Sequence, residues 1–386
     1  MLESGLQPAP IPAETRARKL SSLHVKALDG VRGIAVLMVI IYHMEYLAPR
    51  SSLWERALIA PLRIGWAGVD LFFVLSGFLI TGILLDTRRS PNYFKSFYAR
   101  RALRIFPLYY VVLSAILILS HFTGALDYVL PIPHDRIFYF FYLNNWWPLL
   151  RDTWHGNILG HFWSLAVEEQ FYLLWSVCVF FLSQRRIKLA AVLGIAGALV
   201  IRCLLFAHEG VTRNIVENTF SRMDTLLVGA FLASAVRDPE FLKRAKPLIY
   251  TIGAGSAAGA LLIFYGVRSE AATDIVGLSL LAFAFGAFVL RAFVTDDRPR
   301  QSLQLLLCSN QLTTLGKYSY GMYVYHVPLL HAMRSLARRA GVLPEKNIWL
   351  TLLFMFAVVT ATFVIAKFSF DLFESRFLQL KQYFRA

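Results

Sequence analysis

The sequence predicts an all-α fold: a polytopic membrane bundle of about ten transmembrane helices, with both termini in the cytoplasm. Three observations carry this. Of 386 residues, 57% are hydrophobic and only 16% charged, against about 45–50% and about 25% in soluble domains. Apolar runs near the ~20 residues that cross a bilayer as a helix recur along almost the whole chain. Lys and Arg are also divided unevenly between alternate connecting segments. Such a composition excludes disorder and argues against a water-soluble domain. Because lipid offers no partner to backbone polar groups, runs of this kind read as helices.

The elements follow in order. Residues 1–26 carry Pro8, Pro10 and Pro12, then Arg16, Arg18 and Lys19. Lacking the apolar core and cleavage site of a secretory signal, they are expected to form a polar cytoplasmic tail. Spans are placed at roughly 30–48, 65–85, 102–121, 161–182, 188–207, 219–236, 247–267, 275–294, 312–333 and 349–372. Ile137 to Leu150 is apolar but contains Asn144, Asn145 and Pro148. It is too short to span and is expected as a re-entrant or interfacial piece of the loop 122–160.

With the N-terminus inside, the segments on that side hold 21 Lys and Arg against 11 opposite, which places both termini in the cytoplasm. Loop 334–348, with Arg338 and Arg339, runs against this bias. One membrane domain, 27–380, and a short tail, 381–386, are expected, with no internal repeat. Cys178, Cys203 and Cys308 show no CxxC spacing, suggest neither a disulfide framework nor a metal site, and read as small core fillers. The net charge of +15 belongs to the side bias, so no nucleic-acid partner is expected.

Ionisable groups inside spans cost at least ~2.5–3.5 kcal/mol each at a helix centre, so each is a candidate functional residue. By position along its span, one group lies toward the cytoplasm: Arg32, Arg101 and Arg104. A second lies in the outer half: His43, Asp70, Glu168, Glu169, Arg222, Asp224 and His326. Arg32 and His43 are eleven residues apart, which puts them on one helix face about 16 Å apart along the axis. A long ligand fits such a face, with phosphate against guanidinium and a reactive group against a general base. Arg101 and Arg104, at i and i+3, add a second basic ridge. Taken singly, each arginine also reads as a snorkelling topology signal, and each histidine as structural hydrogen bonding. Convergence of carboxylates and imidazoles at one depth favours chemistry. Trp146, Trp147, Trp154 and Trp163 read either as an interfacial belt or as a sugar platform. Asp224 with Arg222 and Arg202 reads as a self-neutralising ion network. Gly253 to Gly259 reads as close helix packing.

As a set, these residues are recognisable. Leu28-Asp29-Gly30-Val31-Arg32-Gly33 leading to Tyr42-His43 resembles the first helix of the membrane acyltransferase 3 family. The resemblance continues through Gly68 to Phe78, Arg101-Ala102-Leu103-Arg104-Ile105-Phe106-Pro107-Leu108-Tyr109, His161 to Tyr172, and Tyr318 to Leu329. Five segments in order cover about residues 24–380. The resemblance implies a multi-pass inner-membrane enzyme that moves an acyl group, usually acetyl, from cytoplasmic acyl-CoA to a sugar hydroxyl of a cell-surface or exported glycan. It implies His43 as the catalytic residue, Arg32, Arg101 and Arg104 at the donor, and Glu168 and Glu169 as the acidic pair. Some members carry a C-terminal SGNH hydrolase-like domain; with the sequence ending at Ala386, none is expected.

The expected mechanism has acetyl-CoA, or another acyl-CoA, as co-substrate and no metal. His43 is oriented by Glu168 or, second, Asp70, and either deprotonates the acceptor hydroxyl or carries the acyl group itself. His326, Tyr323 and Trp163 are expected at the acceptor, binding sugar or stabilising the oxyanion. The rival class is a transporter or flippase of a glycan or lipid-linked sugar. It calls for inverted repeats and Gly/Pro-broken helix pairs, which the sequence lacks.

Overall fold

The computed structural model describes residues 25–123, 136–146, 158–210, 213–294 and 302–384. Their regular structure is entirely helical. Ten long helices occupy the predicted spans: α1 (Lys26–Tyr42), α2 (Gly68–Thr87), α3 (Tyr93–Thr123), α4 (Trp163–Phe181), α5 (Gln184–Glu209), α6 (Thr219–Ala235), α7 (Pro239–Leu261), α8 (Leu278–Phe293), α9 (Asn310–Arg339) and α10 (Ile348–Ser369). Eight lie in segments long and apolar enough to cross a membrane.

The two exceptions, α6 and α9, have a common cause. α6 is only 17 residues long, and 14 of them are buried. α9 carries Lys317, Ser319, Tyr323 and His326 along a largely buried stretch. A helix enclosed by other helices does not meet lipid, so neither length nor an apolar surface is demanded of it. At the periphery the opposite holds. α5 and α7 expose Leu189, Leu193, Leu204, Leu248 and Ile252, as lipid-facing helices should. Cys203 and Cys308 are exposed and Cys178 is half-buried, so the cysteines do not fill the core as expected.

Glycine sets the closest crossings. A Cβ on Gly77 of α2 would overlap the carbonyl oxygen of Leu226 on α6, and one on Gly229 of α6 that of Val74. Small residues let backbones approach where no hydrophobic force separates protein from lipid. α7 meets α8 similarly at Gly253, which faces Ala287, whereas Gly255 faces open space.

Several boundaries differ from expectation. α1 ends at Tyr42 rather than 48, leaving His43 as its C-cap before a 3₁₀ turn, Glu45–Leu47. The chain stays helical past α10 through a π-helical turn (Phe370–Glu374), Ser375–Gln379 and Leu380–Tyr383. The interfacial piece begins as a short helix, Arg136–Phe140, whose carbonyls at Tyr139 and Phe140 accept from Tyr109 and Tyr110 at 2.7 and 2.9 Å. Its end is clamped by Gln170. That amide donates to the Tyr142 carbonyl and the Asn145 side chain and accepts from Trp146 and Thr219, so all four of its hydrogen-bonding positions are used. Trp146 is thus a packing residue, while Trp147 and Trp154 fall outside the described residues.

Candidate active site

α1, α2, α3, α4, α9 and the helical segment after α10 enclose a cavity of about 490 Å³. Its polar lining includes Arg32, Arg101, Arg104, Lys317, Glu168 and Glu169; Leu79, Ile80 and Leu165 add apolar walls. Arg32 donates to Asp29 at 2.6 Å, a pair on one helical turn. Arg101 and Arg104 have no acidic partner within 4 Å among the described residues, and guanidinium forks so placed suit phosphate oxygens.

Ser164 and Tyr323 form part of the cavity wall. Their hydroxyls lie 2.5 Å apart, and Tyr323 also donates to the carbonyl of His161 at 2.8 Å. Behind the Tyr323 ring stand two imidazoles, with centroids 5.4 Å (His326) and 5.5 Å (His161) away. His43 contacts His326, and His326 contacts His161, each edge-to-face at 4.8 Å. These three rings form a row, two of them against Tyr323, and none of them lines the cavity.

Each ring faces a backbone carbonyl. His43 Nδ1 lies 2.9 Å from the Val39 oxygen, His326 Nδ1 2.5 Å from that of Tyr323, and His161 Nε2 3.4 Å from that of Val324. A carbonyl only accepts, so the nitrogen facing it carries the hydrogen and the other keeps its lone pair. The acceptor nitrogens are therefore Nε2 of His43 and His326, and Nδ1 of His161. The last two of these are buried without a hydrogen-bond partner. The bond to Val324 has a cause in the sequence: Pro328, four residues on, has no N–H to donate, and His161 takes up the freed carbonyl.

Two expectations are corrected. His43 is held by the Val39 carbonyl and the His326 ring, and not by Glu168 or Asp70. Asp70 is fully buried with its carboxylate on Arg222 at 2.7 Å, within reach of Thr225 at 3.5 Å. Because Arg222 has no other carboxylate within salt-bridge distance among the described residues, Asp70 serves as its counter-ion rather than as a partner for an imidazole. Glu168 and Glu169 line the arginines' cavity, which no histidine does. Glu168 neighbours Ser76 and Tyr172, whose hydroxyls lie 2.5 Å apart. The ion network is therefore larger than expected. Asp224 binds Arg202 at 2.8 Å and Ser279 at 2.7 Å, and Thr225 links it to the Asp70–Arg222 pair.

Trp163 packs edge-on against Phe73 and beside Arg222, both outside the imidazole row. His326 and Tyr323 do adjoin His43's row as the sequence suggested. Sequence reasoning missed His161 as a member and Ser164 as half of the wall. The motif His161-Phe162-Trp163-Ser164 was visible, but nothing in it signalled contact with α9.

The fold and site define a polytopic helical membrane protein that encloses an arginine-lined cavity next to a row of hydrogen-bond-accepting imidazoles. The chain belongs to the acyltransferase 3 family: the family model, described as an acyltransferase domain, matches residues 25–367, confirming the resemblance carried by the five motifs. The peptidoglycan O-acetyltransferase OatA of Listeria monocytogenes is 29% identical over 377 residues, covering 93% of this chain and 57% of that one. The O-acetyltransferase OatA of Staphylococcus aureus is 30% identical over 334 residues, covering 82% and 52%. A putative O-acetyltransferase of the same species is 29% identical over 330 residues, covering 81% and 52%. The chain thus spans about half the length of these curated relatives. No solved structure matches it.

Proposed function

We propose that this protein is a membrane O-acyltransferase that moves an acetyl group from acyl-CoA to a hydroxyl of a cell-surface or exported carbohydrate. The observation that carries the proposal is the pairing of the arginine-lined cavity with the imidazole row just past its Tyr323 wall. The donor's phosphates lie against Arg101 and Arg104, entering from the positively charged, cytoplasmic side. Its arm runs along α1 toward His43, about 16 Å beyond Arg32 at 1.5 Å per residue. The carbohydrate acceptor is supported by the names of the relatives, whose substrates include peptidoglycan.

In the reaction, His43 Nε2 takes the proton of the acceptor hydroxyl as its oxygen attacks the thioester carbonyl. The carbon–sulfur bond breaks, and the CoA thiolate takes the proton back from the imidazolium. The Val39 carbonyl fixes the ring so that Nε2 is the base. His326 positions the His43 ring from the other side.

The test follows thiol release from acetyl-CoA by protein in nanodiscs, with candidate glycans, for wild type and His43→Ala. Turnover lost in the variant while acetyl-CoA still binds supports the proposal. Equal turnover would remove His43 from the chemistry, and absence of acetyl-CoA binding to either protein would return the transporter or flippase reading to first place.

A further inference from the structure

The helical segment after α10 lies beyond the family-matched residues, which end at 367, yet it forms one wall of the cavity. Phe370, Glu374 and Leu378 line it. Their spacing of four residues marks one helix face, and the next member of that face, three residues on, is Lys381. The segment packs against α3, whose Arg104, Arg101 and Arg100 are the charges that act on Lys381. Glu374, on the same face, is occupied by the Ser369 hydroxyl at 3.1 Å. Arg101, Arg104 and Lys381 have no acidic group within 4 Å among the described residues. Glu168 and Glu169 line the same cavity, but no salt bridge joins them to these cations among the described residues, so the arginine forks and the ammonium keep hydrogen bonds to offer a multiply charged anion.

We infer that Lys381 is a further donor-binding residue: the helical segment 375–383 brings its ammonium to the phosphates that Arg101 and Arg104 engage, completing a polyphosphate site. This rests on the acyl-CoA reading of the cavity and names which end of the donor the segment holds. Arginines supply planar forks and the lysine a mobile point charge, a division suited to several phosphates of different orientation.

The experiment compares two donors, acetyl-CoA and S-acetylpantetheine, which carry the same thioester with and without the nucleotide phosphates. Steady-state rates are measured for wild type, Lys381→Ala, Lys381→Glu and Lys381→Arg in nanodiscs of purely zwitterionic lipid. The ratio of kcat/KM for acetyl-CoA to that for S-acetylpantetheine is expected to fall about tenfold in Lys381→Ala, the worth of one charge-assisted hydrogen bond. It falls further in Lys381→Glu and is largely restored in Lys381→Arg. An unchanged ratio in correctly folded Lys381→Ala and Lys381→Glu overturns the inference while leaving the acyltransferase reading intact. A loss that appears only when anionic lipid is present overturns it in favour of a lipid headgroup. Wild type that uses neither donor overturns both.

Discussion

Removing the carboxylate of Asp70 should be among the most damaging single changes in this protein. Arg222 and Asp70 bond at 2.7 Å with side chains 1% and 0% exposed, and Nε and Nη1 of the guanidinium have no other partner. Asp70→Asn keeps the shape and leaves the cation in the enclosed interior without its counter-ion. Breaking one side of a buried pair costs about 3–5 kcal/mol, or roughly two to three and a half powers of ten in the folded-to-unfolded ratio. The bridge between Asp86 and Arg237 has almost the same length, 2.8 Å, but its side chains are 20% and 13% exposed. With the distance held constant the environment decides, and Asp86→Asn should cost about 1 kcal/mol or less. Thermal unfolding in one detergent, followed by tryptophan emission, reads both variants. Arg222→Met should be as damaging as Asp70→Asn, whereas Asp70→Leu with Arg222→Met removes both charges and should lose less than the two single changes combined. Strict additivity, or equal losses for Asp70→Asn and Asp86→Asn, would refute the reasoning.

Two further outcomes follow from packing and from the helix break. Gly77→Ala puts a methyl group into the Leu226 carbonyl and should cost about 1–3 kcal/mol or more by the same unfolding assay, while Gly255→Ala, facing open space, should be neutral or gain up to about 1 kcal/mol. Pro328→Ala restores an N–H to the Val324 carbonyl and displaces His161 from it; stability should rise by about 1 kcal/mol while turnover falls severalfold, and a drop in both would instead make the proline a packing residue.

The helices were legible because lipid demands long apolar runs, and the eight segments that meet it can be read directly. α6 and α9 also lay near their predicted places, although α6 is short and α9 carries too many polar residues to be read as directly as the other eight. The spacing of Arg32 and His43 fixed a helix face without reference to any neighbour. Partner choice was less legible. Asp70 and Arg222 are 152 residues apart, and counting residues from span ends places side chains at a depth but not at an azimuth around the bundle. The same count grouped Glu168 with His43, although the α4 face bearing Glu168 turns to the arginines. His43 itself was assigned to the interior of a helix, because the apolar run continues to Leu47 while the helix stops at Tyr42.

The hydrogen-bonded Ser164 and Tyr323 line the cavity, whereas the imidazoles that contact Tyr323 do not. Under the acyltransferase reading proposed above, a thioester held in the cavity would face two hydroxyls before it met a base. Hydrolysis of the donor in the absence of acceptor would then measure how often those hydroxyls part, a quantity set by the protein alone.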